Sequence, residues 1–340
     1  MILADFLPAQ PNRQWQLALQ MGVRHAICKC APELTGLLPP WDIDALRTIQ
    51  KRFSGAGLTL YGLEGDQFDM SRIKLGLAGR DEDLDLYCQM LRNMGELGIP
   101  LLCYNFMAGI GWHRSHGDVP TRGGALTSRF DAATIPASLT AAGEVSAERM
   151  WANYAYFIQR VMPVAEQAGV KMGMHPDDPP LPSLRGIARI LCQPENFERA
   201  MALAPSPCNG VTFCQANFKL MGCDVEHWAR RFGAQGKIFF VHFRDVRGTA
   251  DQFEETFHDD GPTDMPAMLK LYHELGFKGP LRVDHVPTMA GEANDSPGYE
   301  SLGRLFAIGY TKGVMHALRI PMEGGPDATA GVCANPVSPP

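Results

Sequence analysis

Four side chains, His175, Cys214, His242 and Asp284, are of the types that suit one divalent transition-metal ion. Neutral imidazole, thiolate and carboxylate are its ordinary protein ligands. A hard magnesium or calcium site would not recruit a cysteine and two histidines, so the set points to Mn, Fe, Co or Zn. Each residue alone has a plainer reading, as a hydrogen-bonded strand-end histidine, a buried thiol or a capping carboxylate. What favours the metal reading is where the four fall relative to the elements that carry them.

Short apolar runs of strand length recur along the chain, at residues 2–6, 23–28, 58–63, 101–105, 171–174, 211–213, 238–241 and 281–283. Several are apolar almost throughout, as strands buried on both faces should be. Segments of helical period lie between them, at about 12–20, 42–55, 81–97, 146–168, 184–203, 224–234, 264–275 and 300–317. Gly22, Gly57, Gly98 and Gly276 follow helical stretches, and Asp42 and Asp264 stand where N-caps belong. Eight strands alternating with eight helices predict the α/β class and a single (β/α)8 TIM barrel. Neither G-x-G-x-x-G nor G-x-x-x-x-G-K-[ST] occurs, which counts against a nucleotide-binding open sheet. The predicted barrel spans residues 1–322, with a Pro, Gly and Ala-rich flexible tail at 323–340.

In such a barrel, functional side chains stand at the C-terminal ends of the strands. Six successive runs end in polar residues: Glu64, Asn105, His175, Cys214, His242 and the Asp284–His285 pair. The four candidate ligands thus come from four neighbouring strands and can converge on one ion. Glu64 and Asn105 are candidate substrate contacts at the same end. Arg244 and Arg282 are candidates to pair with a substrate carboxylate, although Arg282 suits an interior carboxylate equally well. Residues 253–258 bring Glu255 and His258 onto the loop after the seventh strand, as substrate contacts or as a solvated loop. Asp177 and Asp178, in the segment HPDDPP, suit either orientation of ligands or stabilisation of a turn. The connection 107–144, rich in Gly, Thr, Ser, Pro and Ala with Trp112 and Arg114 embedded, is too long for a plain loop and reads as a lid or an interface.

With 31 Lys and Arg against 37 Asp and Glu, a net charge of −6, there is no basic excess to recruit nucleic acid or an anionic membrane. No basic segment followed by an apolar one opens the chain, and the longest apolar-looking stretch is broken by charged residues. Nine cysteines without regular spacing do not describe a disulfide framework, so reduced thiols and a cytoplasmic protein are expected. A homo-oligomer is expected because barrels of this kind often associate.

At these residues the chain resembles the mannonate dehydratases, members of the xylose-isomerase-like barrel superfamily. The resemblance runs through CYNFM (103–107), Trp112, RFD (129–131), PVAEQAGV (163–170) and HPDDPP (175–180). It continues through GVTFC (210–214), VHFR (241–244), Glu255, His258, Gly261 and Asp264–Met265, R-x-DH (282–285) and PGYESLGRL (297–305). It implies a lyase of carbohydrate metabolism that dehydrates D-mannonate to 2-keto-3-deoxy-D-gluconate in hexuronate degradation. It also implies Mn2+ or Fe2+ on the residues matching His175, Cys214, His242 and Asp284, with His285 and Tyr299 as acid–base groups. The departures are local. Gln215–Ala216–Asn217 stand where the family usually has Thr-Gly-Ser, and Val286 stands where a Gly commonly follows the Asp-His pair. The first strand's end, Phe6–Pro8, lacks the family's polar-aromatic pattern, and the helical insertion after the fourth strand is mostly missing. These changes bear on the identity of the acid sugar more than on the reaction class. The competing readings are a sugar isomerase or epimerase and a non-catalytic sugar-binding barrel. The presence of both acid–base residues beside the ligands argues against the latter.

Overall fold

A computed structural model describes residues 1–322; the tail expected at 323–340 lies outside the described residues. Eight strands form the barrel: β1 (Ile2–Phe6), β2 (His25–Cys28), β3 (Thr59–Glu64), β4 (Leu101–Tyr104), β5 (Lys171–Met174), β6 (Asn209–Cys214), β7 (Ile238–Phe243) and β8 (Pro280–Val283). Each pairs in parallel with its neighbours in sequence, and β1 closes on β8 with Ile2 opposite Pro280 and Ala4 opposite Arg282. The outer ring holds α1 (Arg13–Gln20), α2 (Ile43–Gly55), α3 (Arg80–Glu96), α4 (Ala147–Ala168), α5 (Pro194–Ala202), α6 (Val225–Ala234), α7 (Met265–Glu274) and α8 (Ser301–Ala317). Asp42 and Asp264 cap α2 and α7, their carboxylates accepting from the Ala45 and Ala267 amides. Among the described residues no helix is long and apolar enough to cross a membrane.

The hydrophobic core is split by the barrel wall. Outside it, helix faces bearing Trp15, Ile49, Phe53, Leu91, Phe157, Phe197, Phe232 and Leu269 pack on the strands. Each such buried side chain contributes on the order of 1.5–3 kcal/mol. Inside, Ala4, Ile27, Leu101, Cys103, Phe239 and Phe240 form a plug. The His242 ring stands edge-on to Phe240 with centroids 4.7 Å apart, so the polar end of the barrel rests on a dry floor.

The structure departs from the sequence-based expectation in four respects. The helix expected over 184–203 begins only at Pro194, because Ser183–Leu184 and Ile187–Ala188 form a small hairpin. Its two turn residues, Arg185 and Gly186, take φ of 49° and 84°, the left-handed pair that a tight hairpin turn demands. The 107–144 connection is ordered: His116–Pro120 and Leu126–Asp131 pair antiparallel. Residues 246–255, on the loop after β7, supply the other two strands, so Val246–Thr249, Gln252–Glu255, Leu126–Asp131 and His116–Pro120 make one four-stranded sheet over the barrel mouth. Phe130, Val246 and Phe253 bury themselves beneath it. The stretch 253–258 is therefore interior, with Phe253, Glu255, Phe257 and His258 all buried, and is not a solvated loop. Three short helices, Pro32–Thr35, Ser71–Leu75 and Gln215–Leu220, go beyond the eight expected.

Helix α8 lies close against the loop after β8 because Gly303 has no side chain. A Cβ there would come 2.1 Å from the Pro287 carbonyl oxygen. On the outer face of the same helix, a Cβ at Gly309 would meet only the Met21 methyl at 3.7 Å. Gly303→Ala should therefore destabilise the protein by roughly 1–3 kcal/mol. Gly309→Ala should stabilise it by about 0.5–1 kcal/mol through helix propensity. Chemical denaturation of the two variants measures both signs; equal effects would remove the close-packing account of Gly303.

Candidate active site

The polar residues that end the barrel strands meet around a cavity of about 150 Å³. Glu64, Asn105, His175, His242, Arg282, Asp284, His285 and Tyr299 line it, joined by Asp178, Met107 and Trp112. Cys214 is fully buried beside His175 and His242. Arg244, Glu255 and His258 stand behind the lining: each is buried, and His258 Nε2 donates to the Phe243 carbonyl at 2.7 Å.

Hydrogen bonds determine which nitrogen of each imidazole carries its proton. His175 Nδ1 is 2.7 Å from the Pro176 carbonyl, an acceptor only, so Nδ1 holds the hydrogen and Nε2 is bare. Nε2 of His242 has no neutral partner and lies 3.4 Å from Glu64 Oε1. His242 Nδ1, which faces the bare His175 Nε2 and lies 3.5 Å from Asp284 Oδ2, carries the hydrogen and donates it to His175. Burial alone would push the Glu64 carboxyl up, but the Arg282 charge and the neighbouring His242 ring bring it down to about 2. These two ring nitrogens of His175 and His242 stand 3.1 Å apart, close enough to share one cation in place of that hydrogen. Burial lowers the His175 pKa, keeping that ring neutral and able to ligate. With Cys214 Sγ these nitrogens form a group of donor atoms all within 4.8 Å of one another. Asp284 Oδ2 is 3.5 Å from His242 Nδ1, which adds a carboxylate at the edge of the same group. The donor set fits one borderline-soft divalent ion. Glu64, Cys103 and His242 also approach one another within 4.8 Å. There, however, Arg282 holds both Glu64 oxygens, at 2.6 and 3.1 Å, and burial with the Glu64 charge keeps the Cys103 thiol protonated.

On the β8 side stands a second unit. His285 has a φ of 38°, in the left-handed region that histidine enters at a modest cost, of order 1 kcal/mol. That backbone places its ring between two partners, Nδ1 at 3.0 Å from Glu255 Oε1 and Nε2 at 3.0 Å from the Tyr299 hydroxyl. Burial opposes ionisation of Glu255, but Arg244, His285 and Arg114 outweigh it and lower the carboxyl to about 2. An ionised Glu255 requires hydrogen on His285 Nδ1, which leaves Nε2 as an acceptor for the Tyr299 O–H. Burial and the charge of Asp284 push the Tyr299 phenol up, so it remains a proton donor at neutral pH. Trp112, 40% exposed, covers the pair with its ring centroid 5.0 Å from that of His285.

Behind both units lies a buried charge network. Arg244 donates to Asp178 Oδ2 at 2.6 Å, to Glu255 and to Asn217 Oδ1, and its Nε is 3.3 Å from Cys214 Sγ. Arg114, from the loop after β4, donates to Asp178 at 2.6 and 3.1 Å and to Glu255 at 3.2 Å. With these bonds made, four of the five Arg244 N–H groups are held by protein groups. Arg282 is likewise committed to Glu64 and to Asp284 Oδ1 at 2.6 Å. The partners absent from the sequence-based site are Arg114 and Lys74, both reached across the fold. Arg114 and Glu255 are 141 residues apart, and no local pattern encodes that meeting.

The fold is that of a closed (β/α)8 barrel: the chain superposes on a xylose isomerase domain protein from Planctomyces limnophilus with a TM-score of 0.60, over 93% of this chain and 97% of that one, a likeness of fold alone at 12% identity. A mannonate dehydratase from Streptococcus suis serotype 2 superposes with a TM-score of 0.84 at 29% identity, covering 94% of this chain and 96% of that one. The sequence is 34% identical over 306 residues to Mannonate dehydratase 2 of Halalkalibacterium halodurans, covering 82% of this chain and 88% of the relative. The family model for D-mannonate dehydratase (UxuA) matches residues 34–142 and 134–323. The chain belongs to the D-mannonate dehydratase family.

The charge network yields a stability prediction. Arg114→Met leaves Asp178 and Glu255 buried with one cation fewer and should cost about 3 kcal/mol. Glu255 titrates lower in the folded protein than its ordinary 4.5, so its contribution is fully present above that value and fades as pH falls toward about 2. Acid unfolding followed by circular dichroism should therefore lose part of its slope between about pH 4.5 and 2 in Glu255→Gln. An unchanged profile would mean that the network is not tied to folding.

Proposed function

We propose that this chain dehydrates D-mannonate to 2-keto-3-deoxy-D-gluconate and water, and that His175, Cys214, His242 and Asp284 hold one divalent ion, Mn2+ or Fe2+. The observation that carries this reading is the His285–Tyr299 hydrogen bond of 3.0 Å, which opens on the same cavity as His175, His242 and Asp284 in a chain of this family. A bound ion would supply a Lewis acid for the oxygens of a 2-hydroxy acid and for the charge that grows beside the carboxylate.

The protein's own groups move the protons. His285 Nε2, bare because Glu255 holds the hydrogen on Nδ1, takes the proton from C2. The C2–H electron pair forms the C2–C3 double bond as the C3–O bond breaks. Tyr299 protonates the departing hydroxyl, so it leaves as water. The enol then becomes the 2-keto acid. The proton gained by His285 returns to Tyr299 along their hydrogen bond, which restores both groups. Since the two stand side by side, proton removal and hydroxyl loss take place on one face of the C2–C3 bond. Trp112 shields the pair from water. The eight described cysteines are all free thiols, as suits a cytoplasmic enzyme.

Turnover of the Mn2+-loaded protein on a panel of aldonic acids, assayed for 2-keto-3-deoxy product, tests the reading. Product from D-mannonate is expected. Product only from another acid keeps the class and changes the substrate. An isomer of unchanged formula, or no product with metal bound, would sink the dehydratase assignment. Tyr299→Phe should keep its metal and lose about 10²-fold or more in turnover. Cys214→Ala should lose bound metal, read by elemental analysis, while the barrel stays folded. Full metal retention would remove Cys214 from the ligand set.

A further inference from the structure

Opposite the proton-transfer pair, the cavity wall carries a second arrangement. Asn105 follows β4, which stands four places from β8 around the closed barrel. Beside it lies Lys74, on the short helix Ser71–Leu75, a lysine only 2% exposed. Its ammonium donates to the Asp66 carboxylate at 2.7 and 2.8 Å, to Asn105 Oδ1 at 2.9 Å and to the Met107 carbonyl at 3.2 Å. An ammonium has three hydrogens and no lone pair, so these partners use its whole capacity. Asn105 Oδ1 also accepts from the Met107 amide at 3.1 Å. Both groups around that oxygen are donors only, so the side-chain amide has one chemically allowed orientation. Its oxygen faces Lys74, and its NH2 faces the other way. Asn105 lines the cavity, and its Nδ2 has no hydrogen-bond partner among the described residues.

We propose that Lys74 is a positioning residue that fixes the Asn105 amide, and that Asn105 Nδ2 donates a hydrogen bond to an oxygen of the acid-sugar chain on the side remote from His285 and Tyr299. The identity of the ligand rests on the dehydratase reading; the donor assignment rests on the hydrogen bonds alone. The surrounding lining explains why such a donor matters. Glu64, Asp178 and Asp284 offer carboxylates to the cavity, and Arg282 is committed to two of them. A polyol acid needs donors as well as acceptors. The Lys74 charge is balanced by Asp66, so the substrate meets a neutral NH2 and not a competing cation for its carboxylate.

Asn105→Asp is the discriminating variant. One carboxylate oxygen keeps the Lys74 and Met107 contacts, so the fold is retained, while the other turns a donor into an acceptor. D-Mannonate binding to the Mn2+-loaded protein is measured by calorimetry, alongside kcat and KM. Asn105→Asp should weaken binding about 100-fold, with metal content and melting temperature near those of the wild type, because a site built to hydrogen-bond a group rejects the wrong polarity strongly. Lys74→Met should raise KM about 10-fold with a smaller change in kcat, as a freed amide loses its alignment. Wild-type affinity in Asn105→Asp would overturn the donor assignment, and an unchanged KM in a folded Lys74→Met protein would overturn the positioning role. Binding without turnover in the wild type would sink the dehydratase reading and leave this one standing. Absence of wild-type binding would overturn both.

Discussion

Two arginines and two carboxylates, shut away from bulk water, bind the active end of this barrel into one piece. Arg114, Arg244, Asp178 and Glu255 have side chains no more than 3% exposed. They arise from the loop after β4, the loop after β5 and the end of β7 with its following strand. Isolated, any of these charges would be prohibitive to bury; arranged alternately, each carboxylate receives two guanidinium groups. Such a network is a poor source of net stability but a strong specifier of geometry, because removal of any member strands the others. Glu255 spends one further bond on His285, and Arg244 one on Asn217 beside Cys214. Both functional units therefore depend on it, the proton-transfer pair for its tautomer and the donor cluster for the side chains that surround its thiol.

The division of labour between the two units follows from electrostatics. Ring nitrogens of His175 and His242 gather on the β5–β7 side, where carboxylates are nearby and positive charge is welcome. On the β8 side, burial keeps the Tyr299 phenol protonated and Glu255 keeps one tautomer of His285. One half of the cavity is thus arranged to accept a cation, and the other to exchange a proton without becoming charged at rest.

The barrel was legible in the sequence because strands buried on both faces must be apolar without interruption, and their ends showed as the first polar residue after each run. Glu64, Asn105, His175, Cys214, His242 and Asp284 were singled out in that way, and the fold gathers them at one end of the barrel. The sheet over the mouth left no such trace. His116–Pro120 is exposed or half-exposed throughout and lacks a buried alternation, and the strands that pair with Leu126–Asp131 from the other side lie more than a hundred residues away. The partners of Arg114 and Lys74 left no trace in the sequence for the same reason: what buries these two residues is tertiary. The small hairpin at 183–188 was hidden by apolar residues whose spacing also fits a helix, and only the Arg185–Gly186 turn distinguishes it.

That sheet has a consequence for how molecules enter. Its strands come from the loops after β4 and β7, and they are joined where Gln252, Phe253 and Glu254 pair with Asp131, Phe130 and Arg129. Neither loop can lift by itself, since doing so would break a whole ladder of backbone bonds at once. The roof behaves as a vault and not as a flap. At its rim the half-exposed indole of Trp112, which belongs to none of its strands, stands over His285 and Tyr299.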